Sequence, residues 1–214
     1  MRDSHGGQGL FALSDDPVSL PLEDGSLSYF PCFFSEAEAD ALFDDCLHSL
    51  AWRQDSLRIA DRLIPIPRLQ CWYGDTGTDY SYSRLKLTPL PWTDLLQGIR
   101  SRVEACSEHA FNAVLANCYR DGRDSVDWHS DDEPELGRQP VIASLSLGAV
   151  RCFELKHRSK RHLKPLKLTL AHGSLLIMRA DTQLHWRHRL PKDPTITAPR
   201  INLTFRQITP RGGA

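Results

Sequence analysis

Ala113–Arg120 (AVLANCYR), Pro140–Gly148 (PVIASLSLG), Arg151–His157 (RCFELKH), Leu166–Leu170 (LKLTL), Ser174–Met178 (SLLIM) and Arg200–Ile208 (RINLTFRQI) follow one another with Gly, Asp or Pro punctuation between them. Short β-rich runs at this spacing read as a sandwich or small barrel. Helical periodicity disappears after residue 110, so the second half of the chain is expected to be nearly all strand.

Upstream the period changes. Ser35 with Glu38 three residues later has the form of a capping box. Behind it Ala37, Leu42, Phe43, Cys46, Leu47 and Leu50 recur at helical spacing, which predicts an amphipathic helix over 35–50. Trp52 is placed to pin the chain as it leaves that helix. Pro91-Trp92 opens a second helix through Leu95, Leu96, Ile99, Val103 and Cys106. Between the two, 56–73 reads as a hairpin whose prolines favour an exposed edge, and 75–84 as a polar loop carrying two tyrosines. Residues 1–28 are rich in Gly, Ser, Asp and Pro and read as a loosely draped arm, and 209–214 as a tail. A single domain over 29–208 is the expectation for a chain of 214 residues.

Composition narrows the function classes. The 26 Lys and Arg balance 27 Asp and Glu, a net charge of −1, so no global field draws the chain to nucleic acid or membrane. No apolar run approaches a membrane span, and the first residues lack the layout of a signal peptide. A monomer inside the cell is expected, with a bacterial cytoplasm as the first choice of compartment and a nucleus as the alternative. The six cysteines include no C-x-x-C pair, so buried reduced thiols are expected rather than a zinc knuckle or disulfides. Locally, 121–135 is acidic and 151–167 is basic. The basic run suits either a solvated loop or one that contacts phosphate.

Chemistry concentrates in Val126-Asp127-Trp128-His129-Ser130-Asp131-Asp132-Glu133. In an extended chain His129 and Asp131 point to one side, giving two thirds of a facial site of two His and one carboxylate. Alone, H-x-D is a weak signal. Of the later histidines, His172 sits at a turn and reads as structural, His185 as packing or substrate contact, and His188 as the third ligand. In Arg200–Arg206, Arg, Asn, Thr and Arg alternate with Ile, Leu and Phe, so one face is core. The two guanidiniums on the other are about 20 Å apart by strand rise, close enough to flank a small site only if their arms lean inward. An arginine fork pairs bidentately with carboxylates. An iron site with open positions beside such an arginine fits a 2-oxoglutarate-dependent oxygenase.

With these motifs assembled, the chain resembles the AlkB family of alkylation-repair dioxygenases, in particular the branch with animal homologues acting on DNA and RNA. The resemblance runs from Tyr29-Phe30-Pro31 to about Ile208. It is carried by PRLQCWYGD, LANCYRDGRDSVDWHSDDEPELG, PVIASLSLGAVRCFE, LAHGSLLIM, HWRHRLPK and PRINLTFRQI. It implies an α+β, mainly β fold: a double-stranded β-helix (jelly-roll) core with N-terminal helices and a nucleotide-recognition lid at about 56–84. It further implies Fe(II) on His129, Asp131 and His188, with Asn117, Tyr119, Arg200, Asn202, Thr204 and Arg206 binding the cosubstrate 2-oxoglutarate. The implied reaction uses O2 to remove N-methyl groups from 1-methyladenine or 3-methylcytosine in single- or double-stranded DNA or in RNA, releasing formaldehyde, succinate and CO2. The flipped base is expected to meet Arg68, Trp72, Tyr80, Tyr82, Asp132 and Glu133. The hairpin tip Arg58–Ile64 has no aromatic wedge, which weakens a duplex substrate, although Leu63 or Ile64 are aliphatic candidates. Two other readings remain: an oxygenase on a protein or small molecule, and a non-catalytic nucleic-acid-binding module.

Overall fold

Ser35 begins the first helix as the sequence predicts. In the computed structural model, which describes residues 16–59, 62–82 and 85–209, α1 (Glu36–Ser49) carries the full capping box. The Ser35 backbone N–H donates to Glu38 Oε2 at 2.9 Å, and the Glu38 N–H donates to Ser35 Oγ at 3.4 Å. Trp52 Nε1 donates to the carbonyls of Cys46 and Leu47, closing the other end. The second helix, α2 (Asp94–Ser107), starts from Thr93 as N-cap. Its Arg102 donates to Glu38 at 2.7 Å, tying the two helices together.

The Ser35 backbone hydrogen bond, then Arg102, hold the Glu38 carboxyl at about 2 against an ordinary 4.5. An acid depressed in the folded state stabilises the fold above its unfolded pKa and loses that contribution as pH falls toward the folded one. Glu38→Gln keeps a capping group but not the charge. Thermal melts are expected to show a Tm deficit for this variant at pH 7 that shrinks between about pH 4.5 and 2. A deficit constant with pH would contradict this.

Two antiparallel sheets follow. The larger contains β1 (Val18–Leu22), β2 (Gly25–Phe30), β5 (Leu69–Gly74), β8 (Ala113–Tyr119), β10 (Ile142–Gly148), β13 (Ser174–Arg179) and β15 (Arg200–Arg206). Its order is β1-β2-β13-β10-β15-β8-β5. The smaller contains β9 (Val126–His129), β11 (Arg151–His157), β12 (Leu166–Leu170) and β14 (Trp186–Leu190), in the order β12-β11-β14-β9. Two separate hairpins are formed by β3 (Ser56–Ile59) with β4 (Arg62–Pro65), and by β6 (Tyr80–Tyr82) with β7 (Leu85–Leu87).

The helices cover the outer face of the large sheet, where Ile99 and Val103 meet Ile201, Leu203 and Phe205. Its inner face packs on the small sheet through Leu115, Ile142, Leu176 and Met178 against Phe153, Leu155 and Trp186. The alternation of Arg200–Arg206 is thereby explained. Its apolar residues join the helix-side core and its polar ones face the gap between the sheets.

Four expectations require correction. The arm does not extend to residue 28: β1 and β2 pair with each other, and β2 pairs with β13 in the large sheet. Val18, Leu20 and Leu22 alternate with polar or turn-type residues, and Leu27 is fully buried, a pattern obscured by the surrounding Pro, Gly and Ser. The first part of the arm and the tail beyond 209 lie outside the described residues. The hairpin predicted over 56–73 ends at Pro65, and β5 instead edges the large sheet. The polar loop at 75–84 contains β6. None of the six cysteines forms a disulfide, but Cys32 is exposed and Cys106 and Cys152 are only partly buried, where burial was expected for all.

Candidate active site

Antiparallel pairing of β9 with β14 sets His129 directly opposite His188, their ring centroids 4.2 Å apart. Asp131 lies just past the end of β9. One ligand atom from each of these three residues falls within 4.8 Å of the others. The short segment carrying Asp131 is fastened on both sides. Ser130 Oγ donates to the Trp186 carbonyl at 2.7 Å, and the Asp131 N–H donates to Gln183 Oε1 at 2.9 Å, from the four-residue helix α3 (Thr182–His185). His129 Nδ1 lies 2.7 Å from the Asp127 carbonyl. A carbonyl only accepts, so Nδ1 carries the proton and Nε2 presents its lone pair.

The electrostatics suit a cation. Burial lowers the pKa of His129, and burial followed by repulsion from His129 lowers that of His188 to about 3, so both rings are neutral ligands. Burial pushes the Asp131 carboxyl up, but the neighbouring Arg206 guanidinium outweighs it and holds it at about 2. Arg206 Nη2 donates to Asp131 Oδ1 at 2.8 Å, in a pair whose side chains are 5% and 2% exposed. Two neutral imidazoles and one ionised carboxylate form the donor set expected of a non-haem Fe(II) centre with open positions.

From Asp131 a polar strip runs along β15. Thr204 Oγ1 donates to Asn202 Oδ1, and Asn202 Nδ2 donates to Ser144 Oγ and to the Leu145 carbonyl. Arg200 Nη2 donates to Ser146 Oγ at 2.9 Å, and its guanidinium stands 5.4 Å from the Tyr119 ring. Burial draws the Arg200 pKa down to about 10. Among the described residues no carboxylate pairs with Arg200, and Arg200 Nε and Arg206 Nε and Nη1 are buried without a hydrogen-bond partner. A buried guanidinium without an anion is costly. Orphaned donors at both ends of the strip fit a small dicarboxylate, so the residues present suit 2-oxoglutarate as well as iron.

The remaining expected positions divide. Asn117 and Tyr119 line the same cavity, as does Arg68, whose Nε donates to Asn117 Oδ1 at 2.9 Å. Arg68 is buried and belongs to the cavity wall, which suits contact with a base rather than with phosphate. Trp72 is also corrected: it is 1% exposed, stacks on Tyr80 at 4.9 Å and donates Nε1 to the Thr78 carbonyl, one layer behind the site. Tyr80 is buried above Arg206, with its hydroxyl facing half-buried Glu133 without a well-formed hydrogen bond. Burial, then Asp131, raises the Glu133 pKa to about 7. The Tyr82 side chain lies outside the described residues. Asp132 is exposed and ion-paired with Arg158. Lys160 is held by Glu23 and Asp24 at 2.5 Å each, so two cations of the basic loop are already matched within the chain.

His172 is structural, accepting the Gly148 N–H at 2.7 Å. His185 stacks on His157 in a second cluster with Asp24. There His157 Nδ1 already accepts the Lys160 N–H, so its Nε2 is the protonated nitrogen facing Asp24, a poor arrangement for metal. Sequence reasoning missed Ser144, Ser146 and Gln183. The two serines alternate with Leu145 and Leu147, a period-2 signal that was present. Gln183 had no such signal.

The family model described as the 2OG-Fe(II) oxygenase superfamily matches residues 26–206. The chain belongs to that superfamily. Within it, the chain belongs with the AlkB homologues. It is 40% identical over 211 residues to the alpha-ketoglutarate-dependent dioxygenase alkB homolog 3 of Mus musculus, covering 95% of this chain and 72% of the relative. It is also 40% identical over 190 residues to the DNA oxidative demethylase ALKBH2 of Bos taurus, covering 85% and 68%. Among solved structures, OsALKBH1 superposes with a TM-score of 0.62 at 16% identity, covering 89% of this chain and 100% of that one. A prolyl hydroxylase from Trichoplax adhaerens superposes with a TM-score of 0.58 at 13% identity, covering 86% and 83%. These likenesses establish the jelly-roll fold. The superfamily's chemistry makes this chain a dioxygenase using Fe(II), 2-oxoglutarate and O2. No helix among the described residues is long and apolar enough to cross a membrane.

Proposed function

We propose that this enzyme oxidatively demethylates N-alkylated bases, with 1-methyladenine and 3-methylcytosine in DNA as first candidates and RNA as a second nucleic acid. His129, Asp131 and His188 hold Fe(II). Asn117, Tyr119, Arg200, Asn202, Thr204 and Arg206 bind 2-oxoglutarate. The observation that carries the reading is the locked Asp131–Arg206 pair at one end of a buried strip and the carboxylate-free Arg200 at the other, in a chain related to demethylases by name.

The bound iron and cosubstrate supply the oxidant that hydroxylates an N-methyl carbon, whose product sheds formaldehyde. The protein's own groups do the positioning. Arg206 keeps the Asp131 carboxylate ionised, and the Asp127 carbonyl keeps His129 in one tautomer. Arg200 fixes the distal carboxylate of the cosubstrate. An apolar groove between the β3–β4 hairpin and β9, walled by Leu57, Ile64, Pro65, Val126 and Trp128, leads to His129 and receives the base.

Hairpin residues Leu63 and Ile64 are 66% and 45% exposed. They offer less stacking surface than an aromatic ring to replace a flipped purine, which favours single strands. Succinate release is expected to rise with methylated over unmethylated oligonucleotides, and more for single strands than duplexes. Leu63→Ser should reduce whatever duplex activity remains and spare single strands. Equal stimulation by unmethylated strands would move the search to protein or small-molecule substrates.

A further inference from the structure

The small sheet has a second face. Because His129, His188 and Leu155 point into the core, their neighbours Trp128, Arg187, Arg189, Glu154 and Lys156 point out. Lys167 joins them opposite Glu154. Lys156 Nζ lies 4.1 Å and the Arg189 guanidinium 4.5 Å from the centre of the Trp128 ring. Glu154, clasped by Arg189 and Lys167, is the one acid among these residues, which leaves an excess of three positive charges. Arg187 and Lys167 are exposed. Trp128 also walls the groove that leads to His129, so an apolar entrance and a cationic sheet face meet at one indole.

We propose that this face is a binding track for single-stranded nucleic acid flanking the target nucleotide. A neighbouring base takes the place of Lys156 over the Trp128 ring, and the displaced ammonium and the exposed Arg187 meet the phosphates that follow, while Arg189 stays with Glu154 on the ring. A sheet face with an aromatic platform and cations spaced along it suits a single strand, whose bases are free to stack and whose backbone can follow the strands. The track draws Lys156 and Lys167 from the ends of the basic 156–167 run, whose Arg158 and Lys160 are matched internally. The inference rests on the proposed reading that the substrate is a nucleic acid.

The test uses the full chain and a fluorescein-labelled, unmodified oligothymidylate, with anisotropy measured over a salt series. Trp128→Ala is expected to raise the Kd about tenfold, in the range for loss of one base–aromatic stack, with Trp128→Phe retaining most of the affinity. Arg187→Gln sits on an exposed strand position and serves even where Trp128→Ala fails to fold. It is expected to reduce the salt slope by about 0.7, the share of one neutralised phosphate on a single strand. Unchanged affinity and slope in these variants, or no binding by the wild type, would overturn the track. Demethylation by a wild type whose variants bind normally would sink the track alone. Binding as expected without any demethylation would leave the track standing and sink the proposed reaction.

Discussion

Replacing Asp131 with alanine is expected to reduce succinate formation by at least about three orders of magnitude, because losing a metal ligand exceeds the 10- to 100-fold cost of losing a group that merely orients one. The same substitution should also destabilise the fold. Arg206 is buried, its guanidinium is matched by Asp131 at 2.8 Å, and two of its nitrogens already have no partner among the described residues. Breaking a buried pair from one side typically costs about 3–5 kcal/mol. The two effects separate in the double variant Asp131→Ala/Arg206→Met, which removes the stranded charge. It should be more stable in urea than Asp131→Ala alone and equally inactive. Turnover retained by either variant would remove Asp131 from the ligand set.

Arg200→Met should act with the opposite sign on stability. Burial works against this guanidinium, drawing its pKa to about 10, and among the described residues no carboxylate offsets the cost. The variant is therefore expected to melt no lower than the wild type in the absence of cosubstrate. Its affinity for 2-oxoglutarate should fall by about 30-fold to several thousand-fold, the range for truncating one partner of a buried, hydrogen-bonded charge pair. Thermal shift against 2-oxoglutarate with a redox-inert divalent ion reads both quantities, since a ligand raises Tm by mass action only where it binds. An undiminished shift would place the distal carboxylate elsewhere.

Much of this site was legible because its residues obey local periodicities. Alternation in Arg200–Arg206 placed four polar groups on one face, and the i, i+2 spacing of His129 and Asp131 aimed both at one point. The capping box at Ser35 and Glu38 located α1 to the residue. What stayed hidden depends on partners distant in sequence. Gln183 acts on Asp131 from 52 residues away, and Arg68 reaches Asn117 across 49. Trp72 had the composition of a base-stacking residue, but the register of β5 against β8 turns it under Tyr80. The pairing of Arg158 and Lys160 in the basic 156–167 loop stayed hidden for a related reason. Their partners Glu23, Asp24 and Asp132 belong to other elements, and no reading of the loop alone could supply them.

The most direct measurement is the mass of a single-stranded oligonucleotide carrying one 1-methyladenine, after anaerobic loading of the protein with Fe(II) and 2-oxoglutarate and admission of air. Loss of one methyl group, dependent on both iron and cosubstrate and absent in Asp131→Ala/Arg206→Met, is the predicted result. Succinate formed while every oligonucleotide keeps its methyl group would contradict the assignment of an alkylated base as the substrate.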